Sequence, residues 1–239
     1  KGLPFWIIVI FCLALLIYDP FDCRPGEKNG EATLDNAVAF YKRAIDYAAK
    51  LGVGQTLQGL SAWTENTHNS TEAWQFMVEA LKQIHSYAKT KAVPLSYEPC
   101  NIYEVPYIHT FQEFQRLMTL ADTPDIAVLL DSFHMNIGEK EPLKVLRQYG
   151  QKNSIFHISG SNREGIGQGH LDFKAYHDAL YASGFKGPCV MEFVLKTNNV
   201  NIPPRNNEEM AELSRQVKES LMLWKSYLHA LMLALGHMK

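Results

Sequence analysis

At 239 residues the chain is long enough to bury a substantial core, and 46% hydrophobic with 20% charged residues excludes a disordered or low-complexity protein. A formal net charge of −2 gives no broad electrostatic attraction for nucleic acid and favours a small-molecule enzyme. The four cysteines, Cys12, Cys23, Cys100 and Cys189, are scattered without a CxxC pair. That is the usage of a reducing compartment, so a cytoplasmic protein with buried, reduced thiols is expected.

The chain opens on an uncharged run, Leu3 to Tyr18. A bilayer span takes about 20 apolar residues, so residues 1–20 are assigned to an apolar segment holding a barrel strand. A membrane anchor or signal segment through residues 3–18 is the alternative reading. Asn69-Ser70-Thr71 is a formal glycosylation triplet of a kind that arises often by chance. Asp19 to Thr33 reads as a loop. Asp35 to Leu51 reads as a helix, with Ala37, Phe40, Tyr41, Ala44, Ile45, Ala48 and Ala49 at helical spacing and Gly52 as its stop.

Val53 to Ala62 contains a strand broken by glycines, and Ser70 or Thr71 caps the helix that follows. From there short apolar runs alternate with helical patterns: strands ending at Glu98, Asp131, His157 and Glu192, and helices near Thr110 to Ala121, Pro142 to Gln148, Phe173 to Ser183 and Glu208 to Leu235. This is the βα rhythm of a parallel barrel in one domain, 1–239. Counting the N-terminal run as a strand gives six βα units, whereas a closed barrel has eight, so the first two units are expected to be missing.

In such a barrel the carboxyl ends of consecutive strands meet at one mouth. Glu98, Asp131, His157 and Glu192 each end a run there, and three carboxylates with one imidazole are hard ligands suited to Mn²⁺, Mg²⁺ or Co²⁺. Singly, each has a plainer reading as an ion-paired carboxylate, a helix cap or a core histidine. Their recurrence on successive strands favours a shared metal. Cys100, two residues past Glu98, has a structural role.

Four segments carry a resemblance. Asp131-Ser-Phe-His-Met-Asn-Ile137 resembles the D-[TS]-F-H-M-N-I signature of the ketose 3-epimerases (D-tagatose and D-psicose 3-epimerases), within the xylose isomerase-like TIM barrels of sugar phosphate isomerases and epimerases. Glu98-Pro-Cys-Asn-Ile-Tyr-Glu104, His157-Ile-Ser-Gly-Ser-Asn-Arg163 with Gly167-Gln-Gly169, and Gly187-Pro-Cys-Val-Met-Glu192-Phe resemble three further elements of that family. The resemblance implies a (β/α)8 α/β fold and one divalent metal, Mn²⁺ or Co²⁺, held by Glu98, Asp131, His157 and Glu192. It implies epimerisation of a ketose at C3 through a cis-enediolate, with Glu98 and Glu192 as acid and base. Glu104, His134 and Arg163 then match positions that grip the sugar.

Plainer roles stand beside these: His134 bonding a loop carbonyl, Arg163 pairing with Glu164 or Glu139, and Glu104 as a solvated loop charge. Gly165, Gly167 and Gly169 read as a tight turn near the sugar in preference to a phosphate cradle. His170 and His177 are placed on the surface, without a role. The chain departs from the pattern at Ile102, where the family has arginine, and after Glu192, where its proline is absent. Hydroxypyruvate isomerase or another sugar isomerase of this fold is the sibling reading, and a truncated barrel that binds metal or sugar without turnover is the alternative of another class. The partners expected are a small ketose and further copies of the chain, with no nucleic acid.

Overall fold

The stripe read along residues 35–51 forms helix α1, Leu34–Leu51. Ala37, Val38, Tyr41, Ala44, Ile45 and Ala48 are buried along it, whereas Ala49 turns outward. Gly52 ends the helix at φ +69°, a left-handed conformation that suits glycine, and the Val53 N–H returns to Ala48 O at 3.0 Å. In this computed structural model the described residues are 34–60, 71–196 and 203–236. The run Leu3 to Tyr18, the loop Asp19 to Thr33, Cys12, Cys23 and the residues Asn69 and Ser70 lie outside them. Among the described residues no helix is long and apolar enough to cross a membrane.

These residues form two compact units. The first holds residues 34–60, 71–129 and 137–139. In it, β1 (Gln55–Leu57) and β2 (Leu95–Tyr97) run parallel, Gln55 opposite Leu95 and Leu57 opposite Tyr97. The next strand, β3 (Ala127–Asp131), pairs parallel to β2, Tyr97 opposite Val128. Helix α2 (Thr71–Thr90) buries Trp74, Met77, Ala80, Leu81, Ile84 and Ala88, the four-residue rhythm expected of it. Helix α3 (Phe111–Ala121) starts at a capping box: Thr110 Oγ1 accepts the Glu113 N–H at 3.2 Å, and Glu113 Oε2 accepts the Thr110 N–H at 3.0 Å.

The second unit holds residues 130–136, 140–196 and 203–236. Its strands β4 (Asn153–Ile158) and β5 (Cys189–Met191) are parallel, with His157 opposite Val190. Around them lie α4 (Ser132–Gly138, whose last residues pass to the first unit), α5 (Pro142–Tyr149), α6 (Phe173–Ala182) and α7 (Asn207–Gly236). In each unit the strands follow one another in chain order. Of these, β2, β3 and β5 are short, parallel and largely buried, which is why they read as apolar runs with little alternation, whereas β1 carries the half-buried Gln55 and Thr56. Phe156 is fully buried and stacks 6.4 Å from Trp224 of α7. Burying one such aromatic is worth roughly 1.5–3 kcal/mol.

Two details differ from expectation. The strand looked for in Val53 to Ala62 closes after Leu57, because Gly59 at φ +55° turns the chain away. The short helix α4, directly after Asp131, has no counterpart in the sequence reading. Asp131 itself starts it, its Oδ1 accepting the Phe133 N–H at 2.7 Å.

Candidate active site

Asp131, the last residue of β3, is 1% exposed. Its second oxygen, Oδ2, meets Arg163 Nη1 at 2.5 Å and lies 3.8 Å from His134 Nε2 and 4.0 Å from His157 Nδ1. Glu192 follows β5 directly and is held there by its N–H to Ile158 O at 3.0 Å. Its Oε2 meets Arg163 Nη2 at 2.7 Å and His157 Nδ1 at 3.0 Å. Ligand-type atoms of Asp131, His157 and Glu192 thus lie within 4.8 Å of one another, inside one unit.

The charges follow from the burial. Burial pushes the Asp131 carboxyl above the ordinary range, with the Glu192 charge adding to it, against the pull of Arg163 and His134. Burial pushes Glu192 the same way, but His157 and Arg163 together outweigh it and hold that carboxyl well below its ordinary range. The pair therefore shares a strong demand for positive charge.

Arg163 is shaped to answer it. Its backbone sits at φ +64°, its N–H bonds Gly160 O at 2.9 Å, and its carbonyl accepts the Val194 N–H at 2.8 Å. The guanidinium lies 4.8 Å from the centre of the Phe133 ring. The surface pairing of Arg163 with Glu164 or Glu139 is therefore replaced by Asp131 and Glu192. His134 is buried beside Asp131.

Glu98 and Glu104 belong to the other unit. Glu98 stands one residue past β2, 6% exposed, with its N–H on Leu57 O at 2.9 Å. Cys100 is buried beside it, its Sγ 3.6 Å from Glu98 O and 3.7 Å from Gln58 Oε1. Glu104 is exposed and accepts a bond from Asn101 Nδ2 at 2.9 Å. Ile102, at the position where the resemblance has arginine, is also exposed.

Several supporting residues escaped the sequence reading. Ser132 and Ser159 bond reciprocally, Asn153 Oδ1 accepts the Leu130 N–H at 2.8 Å, and two polar residues of α7 hold the glycine loop. Gln216 Oε1 accepts the Gly165 N–H and Ser220 Oγ the Ile166 N–H, both at 2.9 Å. A Cβ on Gly165 would fall 2.7 Å from Ser220 Oγ, so the loop needs glycine there for close approach. The available signal was Gln216 and Ser220 sharing a stripe with Leu213 and Trp224, polar residues on a buried face. His170 is exposed as expected, but His177 is buried, edge-on to Trp224 at 5.0 Å. Its face of α6 is covered by a helix far along the chain.

The sequence profile of the xylose isomerase-like TIM barrel matches residues 8–220. The chain belongs to that family. It is 30% identical over 115 residues to an L-ribulose 3-epimerase of Methylomonas sp. (strain DH-1), covering 48% of this chain and 40% of the relative. It is also 30% identical over 161 residues to a D-psicose 3-epimerase of Ruminiclostridium cellulolyticum, covering 66% and 55%. The crystal structure of D-psicose 3-epimerase with D-tagatose from Clostridium cellulolyticum H10 superposes with a TM-score of 0.68 at 25% identity, over 81% of this chain and 71% of that one. The chain spans about half the length of the curated relatives it matches. The α/β fold class read from the sequence is that of the family.

Proposed function

We propose that this chain carries the site of a divalent-metal-dependent ketose 3-epimerase. The observation that supports this most is the convergence of Asp131, His157 and Glu192 within one unit, on strand ends that carry the motifs of the resemblance. Two carboxylates and an imidazole fit Mn²⁺, Co²⁺ or Mg²⁺ better than a softer ion. Glu98, buried at the end of β2, is the fourth ligand in this reading. Such a cation, when bound, polarises the ketose carbonyl and acidifies the C3 proton.

The rest falls to the chain. Glu192, kept ionised by His157 and Arg163, is one of the two groups that move the C3 proton, and Glu98 is the other by the resemblance. The handedness of the substrate decides which of them abstracts. His134 and Arg163 orient the sugar hydroxyls nearest C3, with Glu104, held by Asn101, as the third contact. Burial of Asp131 and His157 limits water at the reacting carbon.

Incubating the protein with Mn²⁺ and D-fructose, D-tagatose or L-ribulose in D₂O tests this. The reading requires deuterium at C3 of at least one ketose. Deuterium confined to C1, the mark of an aldose–ketose isomerase that works by proton transfer, would assign the site to the sibling reaction.

A further inference from the structure

Arg163 bridges two of the carboxylates that would hold the divalent cation of the proposed function. Asp131 Oδ2 and Glu192 Oε2, the atoms the guanidinium bridges, are the ones that face His157 Nδ1 at 4.0 and 3.0 Å. The arginine is held on them by the chain around both carboxylates. Phe133, two residues after Asp131, backs its guanidinium, and Val194, two residues after Glu192, holds its carbonyl. A planar fork fixed in this way is a strong, pre-organised partner for a pair of carboxylates.

We propose that Arg163 sets the cation affinity of the site by competing for Asp131 and Glu192. Cation binding is weakest while the guanidinium bridges the two carboxylates, and it strengthens when the arginine turns to a sugar hydroxyl. The proposal rests on reading Asp131, His157 and Glu192 as ligands.

The physics is charge crowding. A dication and a guanidinium on one pair of oxygens repel at short range in a partly buried site, where screening is weak. The fork must loosen for the cation to bind fully. Linkage then makes the effect reciprocal: a sugar that draws Arg163 away tightens the cation, and the cation favours the sugar by the same factor. An arginine that merely orients the ligands has the opposite sign, because losing it would loosen the cation.

The test is a Mn²⁺ titration of the full chain, read by the electron paramagnetic resonance signal of unbound Mn²⁺, for the wild type, Arg163→Gln and Arg163→Lys. Arg163→Gln removes the charge and the bridging fork while keeping a shorter polar side chain, and should lower the Mn²⁺ Kd by about tenfold, within the usual span of coupled sites. Arg163→Lys keeps the charge but cannot bridge both carboxylates, and should fall between. An unchanged or raised Kd in Arg163→Gln overturns the proposal while leaving the ligands in place. If Arg163→Gln does not fold, a Kd for Arg163→Lys at or above the wild-type value overturns it. Absence of Mn²⁺ binding in every protein overturns the ligand reading, and this proposal with it.

Discussion

Ser132 and Ser159 exchange hydrogen bonds at the ends of β3 and β4: Ser132 Oγ donates to Ser159 O at 2.8 Å and accepts the Ser159 N–H at 2.9 Å. Both residues are fully buried. Ser132 follows Asp131 and Ser159 lies two past His157, so the exchange fixes the spacing of these two side chains. Ser132→Ala leaves a buried N–H and a carbonyl without their partner, which costs about 1–3 kcal/mol. Urea denaturation should show that loss, and Mn²⁺ affinity should fall with it. Unchanged stability would mean the strand ends are held elsewhere.

Gln216 and Ser220 hold the loop that presents Arg163. Ser220→Ala orphans the Ile166 N–H in a buried position, again at about 1–3 kcal/mol. Amide hydrogen exchange should quicken over residues 160–169 beyond its rise elsewhere. Uniform quickening across the chain would count against a local role for α7.

His177 should make the protein sensitive to acid. Burial against Trp224 and Tyr227 lowers its pKa, opposed by Asp178 and assisted by Lys174. The unfolded state therefore takes up a proton below about pH 6.5 that the folded state resists, so stability falls as pH drops through that value toward the lower folded one. The slope from one such group reaches at most about 1.4 kcal/mol per pH unit. His177→Phe should flatten the decline in Tm between pH 7.5 and pH 5. An identical decline would remove His177 as its source.

Cys189 should be inert in the folded protein. Burial at the start of β5 pushes its thiol up to about 12, so the thiolate is scarce at neutral pH. Iodoacetamide at pH 8 should leave the peptide containing Cys189 unmodified until denaturant is added. Rapid native labelling would show that β5 opens.

The sequence made the strand ends legible because parallel strands buried on both faces appear as short apolar runs, and Asp131, His157 and Glu192 interrupt those runs where each strand stops. The helices α1, α2 and α3 were readable from stripes and caps that are local in sequence. What escaped depends on distant chain. The burial of His177 is set by Trp224 on α7, and the Arg163 contacts are set by a left-handed turn that aims its side chain at two other strands. Helix α4 lacked a legible start because its cap, Asp131, also belongs to a strand.

C3 epimerisation of D-fructose, D-tagatose and L-ribulose with added Mn²⁺ or Co²⁺, run beside Glu192→Gln, is the most direct test of the ketose 3-epimerase reading. Metal-dependent interconversion of at least one ketose with its C3 epimer is expected, abolished by Glu192→Gln while Mn²⁺ is still bound. Stoichiometric Mn²⁺ binding with no interconversion of any of the three sugars, under conditions where a ketose 3-epimerase turns them over, would contradict it.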